Sequence, residues 1–249
     1  MRWITMGPDE KPTVMFIHGL SATAVSCYGK VAERLADRWH ILLCELDGHY
    51  DGSADFSGLD DACAQIEAYV TAHHAGCLSG LVGLSLGGTI AVSLLGRGRI
   101  RVEKTVLDAA FCVDMGPLRG IYGWVFPECV MRVRDGKPIP GFLMDLFLGK
   151  GNRSLVEMIY PGITRETCRR ACREVYAYRI PEGLGQASPR VAFWRGSREP
   201  YPRSGAALLR AYLPGMTERV FPDRRHCQFL HEEPERYAEL LDRELREKA

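Results

Sequence analysis

LVGLSLGGTIAV, residues 81–92, contains the pattern Gly83-Leu84-Ser85-Leu86-Gly87. An apolar run enters it, and a small-residue run of helical character leaves it. A strand that turns sharply into a helix holds the residue at its tip in a strained conformation. The neighbours two positions away must then be small, because the backbone folds back on itself. Gly83 and Gly87 meet that need, and Gly88 lets the helix pack closely on a sheet. Ser85 becomes an exposed hydroxyl at a helix N-terminus, whose partial positive charge favours a developing anion. Two other glycine-rich readings fail. No Lys-Ser/Thr pair follows the glycines, and their spacing is not that of a dinucleotide fingerprint. What remains is a nucleophile or a tight turn with an incidental serine, and the rest of the chain decides between them.

On both sides, short Val- and Ile-rich runs alternate with longer amphipathic segments. PTVMFIHG (12–19) reads as a strand closing on a Gly turn, and a helix is expected around Tyr28–Asp37. WHILLCELDG (39–48) is the next strand. LDDACAQIEAYVTAHH (59–74) has apolar residues at helical spacing and opens on acids, which suit a helix N-terminus. CLSGLVGL (77–84) is the strand into Ser85, SLGGTIAVSLLGRG (85–98) the helix out of it, and IRVEKTVLDAAF (100–111) a fourth strand. Residues 112–187 break the rhythm. They are rich in Gly, Pro, Met and aromatics, with helical pieces expected near 117–132, 141–149, 152–159 and 164–179. Alternation resumes with SPRVAFWRG (188–196), SGAALLRAYLP (204–214), TERVFP (217–222) and PERYAELLDRELREK (234–248). This pattern predicts an α/β fold: a mostly parallel central sheet with helices on both faces. Residues 1–111 and 188–249 form its core domain. Residues 112–187 form a helical cap inserted over the carboxyl ends of the strands, where such sheets bind ligands.

Composition narrows the function classes. The 249 residues carry 32 Lys and Arg against 31 Asp and Glu, so no global field draws the chain to nucleic acid or to an acidic membrane. The opening MRWITMGPDEKPTV lacks the apolar stretch of a signal peptide, and no run is long enough to span a bilayer. Nine cysteines, mostly inside strand-like or helix-like runs, suggest reduced thiols in a cytoplasmic protein. Cys168 and Cys172 would share a helix face, but zinc needs two more ligands at similar spacing, so no metal is expected. His73 and His74 end a helical run and receive no chemical role.

A serine is a weak nucleophile at neutral pH and needs an adjacent base. His226, in VFPDRRHCQFLHEEPERY (220–237), falls between the last strand and the last helix, at the same sheet edge as Ser85. His231 sits at the acidic start of the terminal helix and reads as a surface or capping residue. The base needs a carboxylate to fix its tautomer. Glu199, in WRGSREPYP (194–202), follows a strand and a Gly turn and is preferred. Asp108, in VLDAAF (106–111), ends an earlier strand and is its competitor. An oxyanion hole requires backbone N–H groups. Leu86, directly after the nucleophile, and Leu20, in the loop FIHGLSA (16–22), are the candidates. His18 and Gly19 would shape that loop without acting in the chemistry.

At this point the sequence resembles the α/β-hydrolase superfamily. The matching pieces are FIHGLS (16–21), ELDGHYDGS (45–53), VGLSLGG (82–88), WRGSREPYP (194–202) and HCQFLHEEPERYAELL (226–241). The resemblance implies an eight-stranded core, here short by one or two N-terminal strands. It implies Ser85 as nucleophile, His226 as base and an acid after the strand ending at Trp194. The family more often has Asp there, which keeps Asp108 in contention. Serine at the turn argues against the dehalogenase and epoxide-hydrolase branches, whose nucleophile is an aspartate. The expected activity is cofactor-free hydrolysis of a small-molecule acyl ester through an acyl-enzyme. A thioesterase, lactonase, carbon–carbon bond hydrolase or lyase, acyltransferase, non-catalytic receptor or scaffold, or cap-mediated interaction module are the alternatives. In the cap, Met115, Ile121, Tyr122, Trp124, Phe126, Phe142, Leu143 and Phe147 offer apolar surface to a substrate or to the core. The arginines of 164–179 read as a solvated face or as a holder of a substrate carboxylate.

Overall fold

The inner strands of this chain are apolar on both sides of the pleat, which is the signature of a sheet covered on both faces. In the computed structural model, which describes residues 1–143, 154–186 and 190–247, seven strands form one sheet. They are β1 (Arg2–Met6), β2 (Thr13–Ile17), β3 (His40–Glu45), β4 (Cys77–Leu84), β5 (Arg101–Asp108), β6 (Arg190–Gly196) and β7 (Thr217–Phe221), in spatial order β1-β3-β2-β4-β5-β6-β7. Only β1 runs antiparallel, against β3. The sheet is that of the α/β-hydrolase fold. MRWITMG is half-buried to exposed with no apolar run to mark it as a strand, yet RWITM pairs in register with Ile41–Glu45.

The two faces hold separate cores. Met15, Ile17, Leu42, Leu81, Leu107 and Phe193 face one side, where α2 (Leu59–His73), α3 (Leu86–Arg97) and α7 (Pro200–Leu209) pack. Val14, Phe16, Ile41, Leu43, Val82 and Trp194 face the other, under α1 (Ala24–Leu35) and α9 (Pro234–Arg246). The helix expected around Tyr28–Asp37 begins four residues earlier. Thr23 and Ser26 form a reciprocal capping box that starts it at Ala24. A short α8 (Gln228–Glu232) precedes α9.

Between β5 and β6 the described chain is helical: a 3-10 turn (Gly116–Leu118), α4 (Arg119–Arg134), α5 (Ser154–Glu157) and α6 (Arg165–Tyr176). α4 and α6 share a small apolar cluster of Val130, Met131, Ile163 and Cys168. The connection is tied to the loop after β2. Tyr160 N–H donates to the Ser21 carbonyl at 2.8 Å, and Ala22 bridges to Ile159. It is also tied to the loop after β3, through Tyr160 to Asp51 and through Thr164 and Thr167 to Asp55. No described helix is long and apolar enough to cross a membrane.

Candidate active site

Parallel strands deliver their carboxyl ends to one edge, and the register aligns them. Ile17 sits beside Gly83, Leu84 beside Asp108, Asp108 beside Trp194, and Gly196 beside Phe221. The residues that follow these ends therefore meet. Ser85 lies at the junction of β4 and α3 with φ 51° and ψ −110°, in the left-handed half of the map where a non-glycine residue is strained. Its N–H donates to the Asp108 carbonyl at 2.9 Å, and its own carbonyl accepts from Thr89 N–H at 3.0 Å. The two flanking glycines are required by contact. A Cβ at Gly83 would strike the Gly87 carbonyl, and one at Gly87 would strike the Ile17 carbonyl.

His226 follows β7, and its Nδ1 lies 2.7 Å from Glu199 Oε1. Glu199 is buried at the N-terminus of α7, and its other oxygen accepts from Gly196 N–H. Burial opposes a charge on His226, while the Glu199 carboxylate against its Nδ1 favours it, and the balance holds the imidazole above its ordinary range. Burial raises the Cys227 thiol above its ordinary value, so it stays neutral near pH 7 and Glu199 is the effective counter-charge.

Asp108 takes a different partner. Its Oδ2 accepts from the Tyr237 hydroxyl at 2.9 Å. Burial and the neighbouring Glu199 charge push its carboxyl up to about 7. Of the two acids that the sequence offers, the structure brings Glu199 to the imidazole and Asp108 to a phenol.

Leu20 and Leu86 line the same cavity as Ser85, His226 and Glu199. Among the described residues, no carbonyl accepts from either backbone N–H. The loop that carries Leu20 is held by two buried histidines. His18 Nε2 accepts from Leu46 N–H at 3.0 Å, and its Nδ1–H therefore donates to the Gly19 carbonyl at 2.8 Å. His49 Nε2 accepts from Ser21 N–H at 3.2 Å, and its Nδ1–H donates to the Asp47 carbonyl at 3.0 Å. Burial lowers both imidazoles, to about 3 for His18 and about 4 for His49. Nothing in the segment ELDGHYDGS points to this role for His49; only the fold brings it to Ser21, 28 residues away.

The cavity measures about 440 Å³, within the range of small-molecule sites. Tyr122 and Phe126 line it, as do Met115 and Leu143. Trp124 and Phe142, expected to contribute, do not: they are 62% and 71% exposed. Helical geometry explains the split on α4. Tyr122 and Phe126 are four apart and share a face, whereas Trp124 between them projects from the opposite side. Ile121 is exposed as well. Phe147 lies outside the described residues. The arginines of α6 are engaged elsewhere or exposed: Arg165 and Arg169 pair with Glu128, and Arg170 with Glu166. His231 pairs with Glu157 at 3.3 Å and does not line the cavity. All nine cysteines are free, Cys168 and Cys172 among the buried ones. Among the described residues, no cluster of three or more His, Cys, Asp and Glu could hold a metal.

Comparison with known proteins bears on this geometry. The model of the alpha/beta hydrolase family matches residues 14–240. A search of curated protein sequences finds no match. Many solved structures share the fold. An alpha/beta hydrolase family protein from Desulfitobacterium hafniense is 23% identical with a TM-score of 0.85, over 97% of this chain and 98% of that one. A hydrolase from Pseudomonas aeruginosa PA01 is 16% identical with a TM-score of 0.77, over 98% and 94%. A thermophilic esterase from Thermogutta terrifontis is 17% identical with a TM-score of 0.76, over 98% and 92%.

Proposed function

The chain belongs to the alpha/beta hydrolase family, and on that premise we propose that it is a serine hydrolase of carboxylic esters. Ser85 is the nucleophile, His226 the base and Glu199 the acid that orients it. The Ser85 oxygen adds to the ester carbonyl carbon as its proton passes to the imidazole. The imidazolium is stabilised by Glu199, and the N–H groups of Leu20 and Leu86 receive the oxyanion. Collapse expels the alcohol, protonated by His226, and leaves an acyl-enzyme. His226 then deprotonates a water that attacks the acyl carbon, and the acid departs with Ser85 restored. No cofactor enters these steps.

The observation that supports this reading most is the 2.7 Å contact of His226 Nδ1 with Glu199 Oε1, in a cavity that Ser85 also lines. The described helices between β5 and β6 act as a cap over the strand ends, with Tyr122 and Phe126 against the acyl group. The remaining lining is largely apolar, which suits an aliphatic or aromatic acyl portion. The test is hydrolysis of 4-nitrophenyl esters from acetate to decanoate, with mass analysis of a fluorophosphonate adduct. Wild type should turn over and carry the adduct on Ser85, and Ser85→Ala should do neither. A folded wild type that neither hydrolyses nor labels would contradict the proposal.

A further inference from the structure

Among the described residues, each charged residue that lines the Ser85 cavity has a side-chain partner, except one. Glu199 holds His226 and the Gly196 N–H. Arg198 pairs with Asp223 at 2.8 Å. Arg225 lines the same cavity directly before His226. Its backbone N–H donates to Gln228 Oε1 at 3.0 Å, but its guanidinium has no acceptor among the described residues. Four other described arginines lack an acceptor, namely Arg173, Arg179, Arg203 and Arg243, and all four are exposed. Arg225 is half-buried. Partial removal of a charge from water is unfavourable unless a counter-charge replaces the lost hydration. A guanidinium keeps its charge through the working pH range and presents a planar fork that matches a carboxylate.

We propose that Arg225 binds a carboxylate of the substrate, so that the ester cleaved here carries a free acid group in addition to its scissile bond. The rest of the lining is mostly apolar, so the substrate joins a hydrocarbon portion to one anionic end. A single unpartnered cation matches a singly charged carboxylate better than a doubly charged phosphate. Because Arg225 adjoins His226, that carboxylate lies within one arginine side chain's reach of the reacting carbonyl. This inference rests on Ser85 and His226 being the reacting groups.

The experiment uses matched substrates: the mono-4-nitrophenyl esters of glutaric and adipic acid beside 4-nitrophenyl pentanoate and hexanoate. The quantity read is the ratio of kcat/KM for the acid-bearing ester over its neutral partner. Wild type is expected to favour the acid-bearing ester by about tenfold or more, the scale of a charge-assisted hydrogen bond. Arg225→Gln is expected to bring the ratio near one. A general loss of folding or catalysis lowers both members of a pair and leaves the ratio alone. A wild-type ratio at or below one, or a preference that survives in Arg225→Gln, overturns the inference. If no ester is hydrolysed, the ester-hydrolase reading fails, and calorimetric binding of adipate then decides the anion site alone. Binding to wild type that is lost in Arg225→Gln upholds the site; equal binding to both, or none, refutes it.

Discussion

The ends of β5 and β6 carry two buried carboxylates, Asp108 and Glu199, in the same environment of strand termini. Their partners differ. Glu199 has three residues of loop beyond Gly196 in which to turn, and it reaches the imidazole with one oxygen and an N–H with the other. Asp108 is the last residue of its strand, and its side chain bonds to a phenol from α9. One carboxylate is set to hold a charge against a histidine. The other is pushed toward neutrality by burial and by the first one's charge. Equal burial therefore does not confer equal chemistry; the reach of the loop and the partner do.

The largest effect expected from this contrast is on turnover. Glu199→Gln should lower kcat by about 10³–10⁴, as loss of the orienting acid does in serine hydrolases. Asp108→Asn, measured beside it by steady-state kinetics, should change kcat by less than about threefold, since its carboxyl bonds to Tyr237 and not to the imidazole.

A second difference is in pH dependence. His226 sits above its ordinary range with Glu199 as counter-charge, and the base must be neutral to accept a proton. Activity should fall as pH drops through that raised value. In Glu199→Gln, the residual kcat/KM should show this acidic limb displaced to lower pH. An unmoved limb would break the link between the two residues.

A third, smaller effect concerns stability. The Asp108 carboxyl is raised from 3.8 to about 7, so the folded state binds more protons than the unfolded state across that window. Its contribution to stability is therefore present at low pH and lost as pH rises toward 7. Asp108→Asn should gain in Tm relative to wild type between pH 5 and pH 8, measured by calorimetry.

The histidines under the Leu20 loop behave in the opposite sense. Both are lowered bases, so stability is full above about 6.5 and declines as pH falls toward 4 and then 3. His49→Ala should leave the buried Ser21 N–H without its acceptor and cost about 1–3 kcal/mol at pH 7, with a weaker loss on acidification. Denaturant unfolding at pH 7 and pH 5 checks both statements.

The contrast between Asp108 and Glu199 also marks how far a sequence can be read. Strands β2 to β6 are legible because a sheet covered on both faces needs apolar runs, and Ser85 is legible because its turn needs glycines at fixed offsets. Loop placement ranks the two acids, but side-chain partners are set by register across strands, which no single segment carries. His49 is hidden for the same reason. Strand β1 is hidden because an edge strand needs no apolar run, and its pairing with β3 makes it one. Aromatic content alone does not say which face of α4 each ring takes, so it misplaces Trp124. The i, i+4 spacing of Tyr122 and Phe126 already holds that information. Arg225 stands in a run of charged residues, and only the partners of its neighbours single it out.

The division of roles between the two acids is decided by one comparison: the second-order rate of fluorophosphonate labelling in wild type, Glu199→Gln and Asp108→Asn under one set of conditions, with the adduct mapped by mass spectrometry. Labelling is expected at Ser85 in all three, with Asp108→Asn close to wild type and Glu199→Gln slower by about a hundredfold or more. Rapid labelling of Glu199→Gln together with slow labelling of Asp108→Asn would contradict this assignment and make Asp108 the acid that orients His226.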